Sequence, residues 1–447
     1  MRYFIDPFGC AKNQVDAENI MAFLDLAGWT ASESQDADLI IVNSCGFIES
    51  AKQESINAVL AWRKLYPEKK IMLAGCLAQR YEKELKEALS EADLLFGNAD
   101  LSGVLKAANS ALKMVPGTKV TAVKKMVPGT RPLLSLPGSA YVKISEGCDN
   151  HCSFCAIPLI RGNVKSRSIA DIKDECKTLL DRGIKELCII GQDIASYGRD
   201  FGNGTAEQAL PDLLEEISHL KGDFWVRLLY IHPDNFPYRI LDIMKSDPRF
   251  LPYFDLPFQH GSEKILRLMN RKGNADTYLA LIKTIRKSFQ KAGAAGAMPV
   301  IRSTFMTGFP GETDVDFTAL LSFQEKAQLD WLGCFAYSRE EGTAAFSMKP
   351  QVSKKAATER KKIIEERQVP ITEKRMDRFV GQSYDVLVEE KVQGEDGLWL
   401  GRLWCQAPEV DGSAVINSDN DLKPGVFAKG AVFARAGLDL EVHIPEN

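Results

Sequence analysis

Three cysteines, Cys148, Cys152 and Cys155, stand close together, with three and then two residues between them. Thiolates at this spacing favour zinc or an iron–sulfur cluster. A closed structural zinc site takes four ligands, whereas a cubane held by three cysteines leaves one iron open to a non-protein ligand. The zinc alternative needs His151 or a distant residue as the fourth ligand. His151 immediately precedes Cys152 and is poorly placed to share a tetrahedron with it. An apolar run at 141–144 delivers the chain into this loop, and the aromatic Phe154 precedes the last cysteine.

A second thiolate set is spread through residues 1–110. Apolar runs at 2–5, 39–42, 71–74 and 93–96 alternate with helical periodicity at 15–27, 47–65 and 78–90. This alternation predicts an α/β domain with a parallel sheet flanked by helices. Cys10, Cys45 and Cys76 each follow one of the first three strands, and the carboxyl ends of parallel strands form the crevice where such sheets bind ligands. Gly9, Gly46 and Gly75 adjoin them and let the backbone approach a bulky group. The competing reading is three small core residues at strand ends. Cys176, Cys188, Cys334 and Cys405 have no partner at ligand spacing and read as packing residues.

Behind the two sets lie the elements that must position them. Residues 111–137 form a linker rich in Pro, Gly and Lys, with KMVPGT at Lys113 and again at Lys125. It reads as an extended connector that a hairpin around Pro116-Gly117 and Pro128-Gly129 could shorten. Residues 138–375 carry six strand candidates, 141–144, 186–190, 225–231, 253–257, 300–306 and 331–337, alternating with helices. Ser168 and Asp171 cap the helix that ends at Gly183. Six βα units predict a partial (βα)6 barrel of the TIM type, with the cysteine loop at the carboxyl end of its first strand. Gln192, Asp193, His232, Gln259, His260 and the stretch Gly308 to Glu312 follow later strands and would ring the same mouth. The charged segment 354–378 reads as helix interrupted at Pro370. Residues 376–447 change to five short strands, 383–389, 398–405, 414–416, 427–434 and 438–443, the pattern of a small antiparallel barrel of the oligonucleotide-binding type.

Charge and composition narrow the function. The chain has 447 residues, 45% hydrophobic and 26% charged, with no apolar run long enough for a bilayer and no signal-peptide pattern at its start. Ten cysteines then fit a reducing cytoplasm, with no membrane partner. The net charge of −4 gives no general attraction to nucleic acid. In residues 380–447 twelve acids oppose five bases, a formal −7. That is the wrong sign for a phosphate backbone and suits a basic protein partner, which argues against nucleic acid as a direct substrate.

The loop C-x3-C-x2-C with Phe154 resembles the radical S-adenosylmethionine (SAM) superfamily. With the second cysteine set and the terminal barrel, known as TRAM, the whole chain resembles the methylthiotransferases. The stretches GCAKNQVDAE from Gly9, NSCGFIESAKQES from Asn43, YVKISEGC from Tyr141, LPFQHGSEKILRLMNR from Leu256 and APEVDG from Ala407 resemble its RimO branch. Asn43-Ser44 departs from the commoner Asn-Thr, and residues 291–298 look expanded. The resemblance implies two 4Fe-4S clusters, one on Cys148, Cys152 and Cys155 and an auxiliary one on Cys10, Cys45 and Cys76. It implies SAM contacts at Gln192, Asp193, Arg302, Ser303 and Thr304, and methylthiolation of the β-carbon of an aspartate in small-subunit ribosomal protein twelve. That basic protein would dock on the acidic TRAM barrel, with acids such as Glu389, Glu390 and Asp411 involved. A flavodoxin or ferredoxin would deliver electrons. The alternatives are a transfer-RNA adenosine methylthiotransferase, radical SAM chemistry without sulfur insertion, and a non-enzymatic iron–sulfur or zinc scaffold.

Overall fold

The computed structural model describes residues 1–112, 127–202, 206–290 and 298–445, which form two compact units. The first comprises Met1–Ser135, Ser145–Thr178 and Ser338–Phe346, and the second Leu136–Ile144, Leu179–Tyr337 and Ser347–Asn447.

The first unit is built on five parallel strands, β1 (Arg2–Pro7), β2 (Thr30–Ala31), β3 (Leu39–Ser44), β4 (Lys70–Gly75) and β5 (Leu94–Phe96), in the order β2-β1-β3-β4-β5. β2 is too short for its periodicity to stand out in the sequence. Every residue of β3 is buried because helices cover both faces of the sheet. Leu39, Ile41, Met72 and Ala74 pack with Ile20, Leu24, Val104 and Leu105 on one face. Their neighbours Ile40, Val42, Ile71 and Leu73 pack with Val59, Leu77 and Leu85 on the other. This period-two division fixes the register, since a one-residue slip would exchange the two sets. The helix expected over 78–90 is two helices, Cys76–Arg80 and Glu82–Ala88, broken at Tyr81.

After β6 (Ser139–Lys143), the ribbon β7 (Ser145–Glu146) and β8 (Lys165–Ser166) brackets the second cysteine loop within the first unit. The helix Ile169–Asp181 follows, with the Asp171 N–H donating to Ser168 Oγ at 3.2 Å as expected. In the second unit β6 is joined in parallel by β9 (Glu186–Ile190), β10 (Trp225–Leu228), β11 (Phe250–Asp255), β12 (Val300–Thr307) and β13 (Trp331–Ala336), neighbours in that order. This is the six-stranded sheet of the expected partial barrel.

The helix Lys354–Met376 runs through Pro370 without interruption, contrary to the expectation from sequence. Pro370 and Glu366, whose carbonyl loses its helical partner, are both exposed, so water can satisfy the freed carbonyl. The C-terminal strands β14 (Ser383–Lys391), β15 (Leu398–Leu403), β16 (Ala414–Asn417), β17 (Phe427–Ala436) and β18 (Asp439–His443) close into a barrel in the order β14-β15-β16-β18-β17.

That small barrel is held to the amino-terminal ends of the larger barrel's strands by buried charge. Glu186 Oε1 accepts from Arg227 Nε at 2.7 Å and Glu186 Oε2 from Arg402 Nη2 at 2.5 Å. Arg402 Nε donates to Glu389 at 2.6 Å, and Arg227 Nη1 donates to the Trp404 carbonyl at 2.9 Å. Asp411 Oδ2 accepts from the Tyr253 hydroxyl at 2.6 Å and from the Ala407 N–H at 2.8 Å. These contacts correct the expectation that Glu389 and Asp411 face a partner. Glu389 is only 6% exposed and pairs with buried Arg402, and the Asp411 side chain is fully covered, with the half-buried Arg302 at 3.5 Å. Glu390 is exposed.

Of the expected linker, 113–126 and with it the first KMVPGT and the Pro116-Gly117 turn lie outside the described residues, as does most of the expanded 291–298 stretch. Pro128-Gly129 forms a turn closed by the Thr130 N–H on the Val127 carbonyl at 3.2 Å.

Candidate active site

The first unit contains all six cysteines assigned to metal binding. Cys10 directly precedes the helix Ala11–Leu26, Cys45 follows the last residue of β3, and Cys76 opens the helix after β4. The parallel register places Asn43 beside Ala74 and Pro7 beside Asn43, so the three strand ends finish side by side. The glycines act differently from expectation. A Cβ on Gly46 would stand 2.7 Å from the Cys76 carbonyl oxygen, and one on Gly75, at φ +95°, 2.7 Å from the Ser44 carbonyl oxygen. They let the cysteine loops close on one another, and so form the cradle rather than merely leaving space in it.

The three sulfurs sense each other. Burial pushes the Cys45 thiol up to about 12, against the backbone N–H of Phe47, and charge on Cys10 or Cys76 raises it further. Burial likewise raises Cys76, opposed by Arg161. At Cys10 desolvation by the surrounding protein works against the thiolate, but Lys12, the Asn13 N–H and Arg161 outweigh it and lower the pKa. The shifts run in opposite directions, and any thiol of the set that stays protonated must release its proton to bind metal.

Around Cys76 stand donors that the sequence reading missed. Arg161 Nη2 lies 3.2 Å and Asn98 Nδ2 3.3 Å from the Cys76 sulfur, and the thiol can donate to Asn13 Oδ1 at 3.1 Å. Asn13 also donates to the Ser44 carbonyl at 2.8 Å and its own carbonyl accepts from Asn43 at 2.8 Å, which ties the loops together. The only hints in sequence were the position of Asn13 one helical turn after Cys10 and of Arg161 shortly after Cys155.

The Cys148 loop is closed by the Cys148 N–H on the Gly162 carbonyl at 3.1 Å and turned by the Cys155 N–H on the Cys152 carbonyl at 3.0 Å. The Asn150 side chain donates to Cys148 Sγ at 3.4 Å and the Ile157 N–H to Cys155 Sγ at 3.5 Å. A strap from the far end of the chain holds it, with the Ala345 N–H on the Ser153 carbonyl at 2.8 Å. Within that strap, buried Glu340 accepts from Lys52 at 3.0 Å and Arg80 at 2.9 Å. His151 is exposed, with left-handed backbone at φ 46°.

Among the described residues no three His, Cys, Asp or Glu side chains gather closely enough to ligate one metal ion. Four thiolates on one zinc stand roughly 3.8 Å apart, from Zn–S bonds of about 2.3 Å in a tetrahedron. A cubane takes each cysteine on a different iron and requires wider spacing. Two sets of three thiols, one of them on loops that glycine turns let pack against each other, offer the donors that a cubane takes from a protein.

In the second unit the residues expected to contact SAM are partly engaged in structure. Asp193 caps its own turn, accepting from the Ala195 N–H at 2.9 Å, the His232 N–H at 3.1 Å and the Ser196 hydroxyl at 2.5 Å. Arg302 is held by Asp255 at 3.0 Å and Asp411 at 3.5 Å. Ser303 is fully buried, donating to the Leu256 carbonyl at 2.7 Å. Gln192 and Thr304 are half-buried. Among the described residues, His232 Nε2, Gln259 Oε1 and His260 Nε2 are buried near strand ends with no hydrogen-bond partner. Burial and nearby arginines lower His232 to about 2, and burial lowers His260 to about 3, so both rings stay neutral at working pH. Unsatisfied buried groups of this kind mark a place for a polar ligand. The Gly308 to Glu312 loop is closed on itself, Glu312 Oε2 accepting from the Phe309 N–H at 3.1 Å.

Comparison with known proteins finds three matched stretches along the chain. Residues 2–97 match the model described as uncharacterized protein family UPF0004, 142–323 the radical SAM superfamily, and 380–444 the TRAM domain. The chain is 48% identical to the ribosomal protein uS12 methylthiotransferase RimO of Treponema denticola, over 98% of this chain and 99% of that one. It is 40% identical to the protein of the same name from Thermotoga maritima, over 100% and 98%. Among solved structures it resembles the radical SAM methyltransferase TsrM of Kitasatospora setae, with TM-score 0.56 at 12% identity, over 77% of this chain and 76% of that one. It also resembles the cobalamin-dependent radical SAM enzyme OxsB, with TM-score 0.52 at 12% identity, over 77% and 54%. At such identity these two speak for the fold alone.

Proposed function

Because the chain belongs to the RimO family of ribosomal protein uS12 methylthiotransferases, radical SAM enzymes with iron–sulfur clusters, we propose that it methylthiolates the β-carbon of an aspartate in ribosomal protein uS12. The observation that carries this reading is the presence of two separate three-thiol sets in one compact unit. Sulfur insertion gives the second set a use that SAM cleavage alone does not.

Cys148, Cys152 and Cys155 would hold one cubane and Cys10, Cys45 and Cys76 the other, each with one iron lacking a protein ligand. When bound, the clusters and SAM supply a hydrogen-abstracting radical and a methylthio group, chemistry that a methylene beside a carboxylate requires because acid–base removal of its hydrogen is unfavourable at neutral pH. The chain's own residues position and shelter. His232 and Gln259 offer neutral polar atoms inside the second unit, suited to hydrogen-bond SAM or the substrate amide without adding charge. Gln192 and Thr304 keep partly accessible side chains near the same strand ends, whereas Arg302 and Ser303 contribute mainly by fixing β12. Exposed acids of the small barrel, among them Glu390, Asp396 and Asp421, suit a basic ribosomal protein. A flavodoxin or ferredoxin would supply electrons, and ten free cysteines suit a reducing cytoplasm.

The test is direct. Anaerobically reconstituted protein is incubated with SAM and reductant, with uS12 and with transfer RNA in separate reactions, and the products are weighed. A methylthio mass gain on uS12 alone supports the proposal, and one on RNA alone overturns it.

A further inference from the structure

Arg161 stands outside the residues assigned to either cluster, yet it reaches both loops. It ends the short helix Ile157–Arg161, which follows Cys155 directly, and its side chain is 4% exposed. Nη1 donates to Glu146 Oε2 at 2.7 Å, beside the loop of Cys148. Nη2 donates to Asp16 Oδ2 at 2.8 Å and Asn13 Oδ1 at 2.8 Å, on the helix that Cys10 precedes, and lies 3.2 Å from the Cys76 sulfur. One guanidinium therefore touches elements from both sets. The same sulfur has a second, neutral donor in Asn98 Nδ2 at 3.3 Å.

Two carboxylates already balance the guanidinium, which fixes it in place as a charged group whatever the state of the sulfur. Its fork cannot turn away from Cys76 without breaking a buried ion pair, an expensive event in a low-dielectric site. Hydrogen bonds to a ligating sulfur and nearby positive charge are the levers by which a protein sets an iron–sulfur reduction potential.

We propose that Arg161, aided by Asn98, is a positioning residue for the auxiliary site, donating to the Cys76 thiolate and raising the reduction potential of the cluster it holds. The inference rests on the reading that Cys10, Cys45 and Cys76 carry a cluster, and the experiment separates the two.

The full chain carrying C148A, C152A and C155A is reconstituted, so that only the auxiliary site can hold iron. Its iron and sulfide are measured, and its midpoint potential is followed by electron paramagnetic resonance. Absence of iron here defeats the underlying reading. With iron present, R161Q in this background is expected to shift the midpoint to more negative potential, N98A to shift it less in the same direction, and R161K to recover part of the loss. A midpoint unchanged in R161Q overturns the role of Arg161. If R161Q loses its circular dichroism, R161K and N98A decide: parental midpoints in both overturn the proposal, and negative shifts in both support it.

Discussion

Replacing Glu186 by Gln tests whether buried charge seats the small barrel against the larger one. Burial alone would raise the pKa of this carboxyl, but Arg402 and Arg227 outweigh it and bring it from 4.5 down to about 2. At about 1.4 kcal/mol per unit, that shift corresponds to about 3 kcal/mol of stability. The folded pKa is depressed, so this stability is fully present above the unfolded value near 4.5 and is lost as pH falls toward 2. The amide keeps the shape but leaves two enclosed guanidinium groups facing each other, with Glu389 answering only Arg402. At pH 7 we expect E186Q to unfold with about 3 kcal/mol less stability and a melting transition roughly 3–6 °C lower. Thermal denaturation from pH 7 to pH 3, with protease sensitivity around residues 377–382, is the assay. The gap should close steadily below pH 4.5. A loss under about 1 kcal/mol at pH 7, or a gap that ignores pH, refutes the reasoning.

Removing Cys10, Cys45 and Cys76 together, or Cys148, Cys152 and Cys155 together, should each lower reconstituted iron from about eight to about four per chain, measured by metal and sulfide analysis. Either triple variant retaining the parental content would contradict the two-site assignment. Charge reversal at the exposed acids Glu390, Asp396 and Asp421 to Lys should weaken uS12 capture several-fold at low salt and leave SAM cleavage unchanged, the difference shrinking as salt is added. Burial raises Asp411 to about 6, so the native state holds this proton more tightly than the unfolded chain and parental stability falls between about pH 4 and pH 6 by about 3 kcal/mol relative to D411N. Urea titrations of both proteins across that window measure it, and parallel curves would exclude an ionisable group there.

The cysteine sets were legible because their spacing and their placement after strands are written locally. Cys10, Cys45 and Cys76 could be brought together from sequence because a parallel sheet makes strand ends adjacent, and the register of β1, β3 and β4 does so. Side chains that meet across distant segments were not legible. Nothing in the pattern around Glu340 announces Lys52 and Arg80 as its partners, and Arg402 looked like one of five bases on an acidic barrel until Glu186 proved to be its counterion. The same blindness placed Glu389 and Asp411 at a docking surface, since a run of acids reads alike whether it faces solvent or a buried arginine. Pro370 misled for a related reason. Its effect depends on which side of the helix faces water, and the mixed charge of that segment hides the face.

The strap 338–346 also has a consequence for synthesis on the ribosome. All six cysteines have been made once residue 155 is added, but Lys52 and Arg80 meet Glu340, and Ser153 meets Ala345, only after residue 346 emerges. At about 5–20 residues per second, the nascent chain carries its reactive thiols for roughly 10–40 s before their enclosure is complete. Iron delivered during that interval meets an unfinished cradle, which favours loading after residue 346 has emerged over loading before it.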